Sequence, residues 1–184
     1  MTFRPKLTTV AACRVAGIDR NRFNEHVAAN NFTCAPPTTS GRARLFDPDD
    51  MIALRLFNDL MKDGFTPKRA GEIACEVAQA AKLSPEASTI SYVESFFRGG
   101  SAHPSDSVPN SSEWDKVLFS GTDIRKVTTF RIGKLREIIA HYTEEERSII
   151  GPDDGEPDSS DRSGLREARS LFVEGIINIE PPTE

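Results

Sequence analysis

The stretch that decides the fold is residues 44–66, which read RLFDPDDMIALRLFNDLMKDGFT. Asp47 or Asp49 is a good helix N-cap, and Pro48 suits the first turn that follows. Apolar side chains then recur at helical spacing, which predicts one amphipathic helix that ends before Gly64. The apolar stripe is wide, so this helix should be packed on more than one side. Its members are Met51, Ile52, Leu54, Leu56, Phe57, Leu60 and Met61.

Two shorter helices are predicted ahead of this stretch, over residues 8–16 and 19–30. A threonine at the start of the first and Asp19 at the start of the second are good N-caps, and Gly17 separates the two helices. Phe23 and Val27 are four residues apart and are therefore expected on one face of the second helix, toward the core. Two short helices joined by a glycine turn are typical of a helix-turn-helix.

Residues 33–41 contain two prolines and a glycine, which exclude a regular helix there. Basic and apolar side chains then alternate over residues 42–46, which predicts a short strand with Arg42 and Arg44 on one side. Such a strand would be the wing of a winged helix. After Gly64, Thr66 is expected to cap a fourth helix that is rich in alanine.

These residues resemble the N-terminal domain of MerR-type winged-helix DNA-binding proteins. The resemblance is carried by the Arg44/Phe46 strand, the acidic helix start that follows it, and the Gly64-Phe65-Thr66 turn before a fourth helix. Residues 7–32 are similar to the first half of that domain, and the match covers about residues 6–81. The resemblance implies a bacterial or phage protein that binds double-stranded DNA.

The second helix departs from the family, which usually has an Arg-Tyr-Tyr-Glu run where this chain has Asn24-Glu25-His26-Val27. The residues with which the family reads bases therefore cannot be assigned to this chain by the resemblance.

In a domain of this type the start of the second helix enters the major groove, where Arg binds guanine edges and Asn binds adenine. The wing holds phosphates or enters a minor groove. The expected DNA-binding residues are Arg20, Asn21, Arg22, Asn24, His26, Arg42 and Arg44. Phe23, Val27, Phe46, Leu56 and Phe65 are expected in the core. Instead of contacting DNA, Arg44 could form a structural ion pair with Asp49 or Asp50.

The net charge of −5 argues at first against a nucleic-acid binder. The charge is unevenly distributed, however. Residues 1–46 carry seven basic and two acidic side chains, whereas residues 83–184 carry 11 basic and 19 acidic ones. A basic head on an acidic body is typical of a nucleic-acid-binding module joined to another part.

The patterns within residues 83–150 predict a small α+β domain that serves dimerisation or partner binding. Residues 84–97 combine a helix-like start with a β-rich run, and we favour a strand over 89–97. Glycine, proline and serine make residues 98–113 a flexible loop. A hairpin is predicted between 116–120 and 125–131, and a helix follows from Gly133 to about Ile149.

Four apolar residues form a narrow seam along this last helix: Ile132, Leu135, Ile139 and Tyr142. The seam either covers the hairpin or pairs with a second copy of the chain, and periodicity does not separate the two. In the second case these four residues hold a homodimer together.

Residues 151–184 are expected to be an acidic linker and tail. Five acids precede the first base of this segment, so disorder is predicted near its start, and the apolar residues within 165–179 could bind a protein partner. The predicted fold is thus mainly α. It comprises a MerR-like winged helix-turn-helix over 1–82, the α+β domain over 83–150 and the disordered tail.

Several classes of protein are excluded by what the sequence lacks. No apolar run reaches the length of a membrane span, and no signal peptide is visible, so a cytoplasmic location is expected. Cys13, Cys34 and Cys75 have no metal-site spacing and are expected to be reduced thiols. The three histidines are far apart and form no catalytic motif. No enzyme activity, metal or cofactor is expected.

The sequence therefore predicts a dimeric, sequence-specific transcriptional regulator that binds double-stranded DNA, with a protein partner for its C-terminal half. Two alternatives remain open. One is a phage-type recombination-directionality or DNA-packaging factor that uses the same domain. The other is a protein–protein adaptor whose winged helix has lost its DNA contacts, which Glu25 and the net charge favour.

Overall fold

A computed structural model describes residues 6–38 and 43–150, except for the side chains of 149 and 150. The described part of the chain is a mixed α+β structure, about half helical, with small antiparallel sheets. The described residues up to 146 form one compact unit. The predicted tail over 151–184 lies outside the described residues, and the predicted boundary at 82/83 stays a prediction. In chain order the elements are β1 (Leu7–Thr8), α1 (Thr9–Ala16), α2 (Arg20–Ala28), β2 (Leu45–Phe46), α3 (Pro48–Lys62), α4 (Pro67–Leu83), β3 (Ile90–Ser95), β4 (Gly100–Pro104), β5 (Ile124–Phe130) and α5 (Ile132–Ile150).

All four N-terminal helices begin after the residues predicted to cap them, and three have the side-chain cap; Thr66 precedes α4, but its side chain makes no capping hydrogen bond. Thr8 caps α1, and Asp19 caps α2. Asp47 accepts hydrogen bonds from the Asp49 and Asp50 amides, while the Asp50 carboxylate accepts one from the Asp47 amide at 2.9 Å. This reciprocal capping box satisfies backbone donors that would otherwise lack partners, and it fixes where α3 starts.

The wide apolar stripe of α3 is confirmed as the centre of the core. Ile52, Leu54 and Phe57 have no exposed surface, and helices α1 and α4 both pack on α3. Asn58 is a buried polar residue of α3 that the apolar pattern does not include. Its side-chain amide donates to the carbonyl oxygens of Ala16 and Gly17 at 2.9 and 3.2 Å, which ties α3 to the end of α1.

Helix α4 packs closely on the segment that follows α2 because it has a glycine at the contact. A Cβ atom at Gly71 would lie 1.7 Å from the carbonyl oxygen of Asn31. This overlap is with backbone, which cannot swing away as a side chain can. The sequence pattern includes the alanines of α4 but gives no sign of this contact.

The C-terminal sheet corrects two predictions. Its strand order is β4-β3-β5, all antiparallel. Residues 98–113 are not a flexible loop throughout, because they form β4 and two short 3₁₀ turns. The predicted hairpin is also wrong, since β5 pairs with β3, and residues 116–120 contribute only the isolated bridge from Phe119 to Thr122. The physical reason is that every residue of β3 is buried, and such a central strand needs a partner on each edge.

Two arginines attach the sheet and α5 to α4. Arg69 of α4 lies 5.3 Å from the centroid of the Tyr92 ring and pairs at 3.2 Å with the buried carboxylate of Glu94, which Arg125 of β5 also pairs. Arg136 of α5 donates to the carbonyl oxygens of Ala81, Pro85 and Ala87. The hydrogen bonds from Arg136 thus satisfy backbone carbonyl groups in the last turn of α4 and just beyond it.

The expectation of three reduced thiols is wrong for two of them. Cys34 and Cys75 are joined by a disulfide, whereas Cys13 is free and buried. The sequence did not indicate this disulfide, because the two cysteines are 41 residues apart. The packing of the segment after α2 against α4 brings the two side chains together.

Gly71→Ala should lower the free energy of unfolding by roughly 1–3 kcal/mol or more, because the new methyl group overlaps the Asn31 carbonyl. Gly133→Ala is a matched control in α5, since the nearest atom to its Cβ would be 3.6 Å away. That substitution should be neutral or stabilising by up to about 1 kcal/mol. Urea unfolding followed by circular dichroism measures both, and equal effects would contradict the close approach.

Candidate nucleic-acid interface

The helix predicted to read DNA, α2, is fixed at its start by two devices. Gly17 takes a left-handed conformation, with φ of 72°, and turns the chain out of α1. Asp19 then accepts hydrogen bonds from the Asn21 and Arg22 amides at 2.9 and 3.0 Å. The first turn of α2 is therefore rigid, and it is this turn that carries the candidate base-reading side chains.

A cluster of four phenylalanines holds α2 against the core. Phe23 is fully buried and lies edge-on to Phe32 and Phe46, each with ring centroids 5.8 Å away, and Phe57 of α3 packs on Phe32 at 5.0 Å. Edge-to-face aromatic pairs of this kind add to the free energy gained from burial. The expected core positions of Phe23, Phe46 and Leu56 are confirmed, while Val27 and Phe65 are only half-buried.

The exposed side of α2 presents both cations and amides to solvent. Four of the five candidate residues of this helix are exposed: Arg20, Asn21, Arg22 and Asn24. Glu25 is exposed beside them. The fifth candidate, His26, is half-buried, and its ring packs edge-on to Phe57 with centroids 5.3 Å apart. Its ring orientation is therefore set partly by the core.

The strand expected over 42–46 is shorter than predicted, since β2 covers only Leu45–Phe46. The sequence pattern did not indicate its partner strand, which is β1. The two strands pair antiparallel in the register Leu7 to Phe46 and Thr8 to Leu45. Arg42 lies outside the described residues. The structure therefore describes the base of the expected wing.

Arg44 is partly a packing residue. Its guanidinium carbon lies 5.7 Å from the centroid of the Phe23 ring, and within the described residues its buried Nε has no hydrogen-bond partner. The Thr9 hydroxyl donates to the Arg44 carbonyl oxygen at 3.4 Å. A cation stacked on an aromatic ring retains its charge for a phosphate while the ring fixes its direction.

A cleft of about 360 Å³ lies between α2 and the end of α3. Arg22 and His26 line it from α2, and Asn58 and Lys62 line it from α3. Sequence reasoning did not select Lys62, which looks like an ordinary basic residue of a last helical turn. The cleft adds this second exposed cation beside Arg22.

The four seam residues of α5 differ in exposure. Ile132 and Ile139 are buried within the chain, Leu135 is half-buried, and Tyr142 is 43% exposed. Near the far end of α5, Glu146 is also buried and accepts a hydrogen bond from Arg14 of α1 at 2.9 Å. The helix thus covers parts of its own chain, and Tyr142 is the seam residue with the most free surface.

Large apolar side chains are exposed at the end of the sheet where β3 turns into β4. Phe96 and Phe97 are 62% and 84% exposed, and Val117 and Leu118 are also exposed. Arg98 and Phe119, which directly follow these two pairs in the chain, line one cavity of about 250 Å³. Exposed apolar groups that lie together on a surface commonly mark a site of protein association.

One pair of side chains has the elements of a catalytic dyad. Ser101 Oγ and His103 Nε2 are 2.8 Å apart on β4, and Phe119 packs edge-on to the imidazole ring. A serine nucleophile needs a base that a third group, usually a carboxylate, orients. Among the described residues the contacts of this ring are a hydroxyl and a phenyl group, which do not supply that orientation.

Residues 6–38 and 43–150 contain no group of three or more His, Cys, Asp or Glu side chains that could hold a metal ion. Within the same ranges, no helix has the length and apolar character that a bilayer crossing requires. No protein-family model matches the chain, and a search of curated proteins gives no match.

Asp19→Ala should lower the free energy of unfolding by about 1 kcal/mol, because two amides at the start of α2 lose their acceptor. Asp19→Asn is the matched control, since its side-chain oxygen still accepts these bonds. Urea unfolding of the two variants and the wild type measures the difference. If the alanine variant were as stable as the asparagine variant, the capping bond would not be what fixes α2.

Proposed function

We propose that this protein is a sequence-specific DNA-binding transcriptional regulator that acts as a homodimer without enzyme activity, through a MerR-like winged helix-turn-helix in residues 1–82. The observation that supports this most is the first turn of α2. That turn is capped by Asp19, backed by the buried Phe23, and presents an exposed array of arginine and asparagine side chains. These are the side chains that form bidentate contacts to guanine and adenine in the major groove.

The roles divide between base reading and phosphate binding. Arg20 and Arg22 would contact guanine edges, while Asn21 and Asn24 would contact adenine. Arg44 at the base of the wing would bind the backbone, as would Lys62 beside the cleft. His26 is restricted by its packing on Phe57, so it would contribute one polar ring edge at most.

The charge distribution agrees with this assignment. The exposed cations of α2 belong to the segment 1–46, which has five more basic than acidic side chains. The acidic excess of the chain is in the later residues. A duplex that approaches α2 therefore meets the basic part of the protein, and the net charge of −5 does not describe that surface.

Arg22→Ala should weaken binding to a cognate duplex by roughly 1–3 kcal/mol, because an exposed base-reading contact is lost without a change in the core. The duplex is obtained by selection from a random pool with the wild-type protein, and fluorescence anisotropy gives the Kd. Arg131→Ala is the control, since it removes an exposed arginine from the other half of the chain. Equal affinity of the two variants would contradict the reading role of α2.

The dimer is proposed because each chain supplies one recognition helix, and helix-turn-helix proteins read paired half-sites with two. Ile132 and Ile139 are covered within the chain, so they are not the surface that we assign to the second copy. Phe96, Phe97, Val117 and Leu118 are exposed apolar side chains, and we assign the second copy to the surface that includes Phe96 and Phe97.

Sedimentation equilibrium of the full chain should give a dimer of two 20.3-kDa chains. Phe97→Glu should shift it to the monomer, because a charge would be buried in the interface. Leu83→Glu is the matched control, since Leu83 is also highly exposed but lies at the end of α4. A wild-type chain that stays monomeric at all concentrations would contradict the dimer.

An adaptor that binds only proteins is the second candidate, supported by Glu25 on the reading helix and by the exposed phenylalanines. The salt dependence of binding to generic DNA separates the two functions, because a regulator releases counterions from the duplex and an adaptor does not. A phage-type recombination or packaging factor would share that salt dependence. It would differ by bending the duplex, which a circular-permutation gel assay detects.

A further inference from the structure

The three cysteines divide into one buried thiol and one bonded pair. Cys13 is 2% exposed, and burial raises the pKa of its thiol to about 11. It is therefore protonated and unreactive near neutral pH. Cys34 and Cys75 are both half-buried and joined to each other, so the bond that links the segment after α2 to α4 lies between two residues that are not sealed in the core.

This bond lies just beyond the last buried residue of the segment that follows α2. Phe32, just before Cys34, is buried, and Phe46 of β2 is buried as well. Among the described residues between these two phenylalanines, none is buried. The disulfide is thus a covalent link to α4 beside described residues, 33–38, that have no buried side chain of their own, and Cys34 precedes Arg44 by ten residues.

We propose that Cys34 and Cys75 form a reversible oxidation site whose state sets how firmly this segment is held, and thereby the affinity for DNA. The effect on DNA rests on the function proposed above. A bonded segment has lost part of its conformational freedom before DNA arrives, so less ordering remains to be done on binding. The oxidised protein should therefore bind more tightly than the reduced one.

The chemistry balances with a peroxide as oxidant and a dithiol as reductant. One thiolate attacks a peroxide oxygen and breaks the O–O bond, which gives a sulfenic acid and, after proton transfer, water. The second thiolate displaces the hydroxyl group from that sulfur, so that the S–S bond forms and a second water leaves. A dithiol reverses the reaction by two exchange steps and becomes a disulfide itself.

A neighbouring hydroxyl supports reduction at this position. Thr33 Oγ1 donates to Cys75 Sγ at a distance of 3.9 Å. A hydroxyl that donates to a sulfur stabilises the thiolate released when the bond opens, because hydrogen bonding favours the charged form.

The test compares the full-length protein after treatment with dithiothreitol and after treatment with hydrogen peroxide. Alkylation followed by mass spectrometry counts the free thiols. In the folded reduced protein Cys34 and Cys75 should be labelled quickly and Cys13 slowly. After peroxide, only Cys13 should be labelled once the protein is unfolded. Trypsin should cleave after Arg44 more quickly in the reduced protein, which reports on the segment without any DNA.

Affinity for the selected duplex should be about 5-fold or more higher in the oxidised protein, the lower end of typical coupling between two sites. Cys34→Ser and Cys75→Ser should each remove this response and hold the affinity at the reduced level. Cys13→Ala is the matched control and should keep the response. Circular dichroism shows whether each variant is folded, and the comparison of the two states of the wild type needs no variant.

Equal affinity and equal cleavage in the two wild-type states would overturn the proposal, as would a bond that dithiothreitol does not open in the folded protein. If neither state binds DNA while thiol labelling and cleavage still differ, the proposed function has failed but the oxidation site is supported. The two failures are therefore distinguishable.

Discussion

The contact on which the rest of the N-terminal half depends is the packing of Phe23 between Phe32 and Phe46. It joins α2, the segment after α2 and the strand β2. Phe57 of α3 belongs to the same cluster, because its ring packs on Phe32. Aromatic rings in edge-to-face contact leave little freedom to rotate, so the direction of α2 is fixed relative to α3. The same ring of Phe23 supports the guanidinium of Arg44.

Helix α4 is the element that both halves of the chain share. Near its start it touches the segment after α2 through Gly71, and it holds the sheet through Arg69 and Glu94. At its end, Arg136 of α5 donates a hydrogen bond to the carbonyl oxygen of Ala81. A buried carboxylate with two arginine partners is costly to disturb, because loss of either partner leaves part of its charge uncompensated. The C-terminal sheet and α3 of the N-terminal half are therefore packed on one common helix.

The sequence predicted the N-terminal helices well because local signals determine them. Asp19 and Asp47 cap helices through atoms two and three residues away, and the period of the apolar residues in α3 follows from its own geometry. The prediction failed for β4 and for the partner of β5, where the pairing joins residues distant in sequence. Glycine, proline and serine near β4 resembled a loop, yet Gly100 is needed there because the Tyr92 ring lies against its backbone.

For the candidate site, the sequence by itself determined which residue types stand at the start of α2 and that basic side chains outnumber acidic ones in the first 46 residues. It also determined the capping of that helix, since capping is a local interaction. Only the tertiary structure decided that His26 packs on Phe57, that Arg44 stacks on Phe23 and that Lys62 shares a cleft with Arg22. It alone paired Cys34 with Cys75 across 41 residues. The physical reason is that these contacts join separate elements, whose meeting depends on the packing of the whole core.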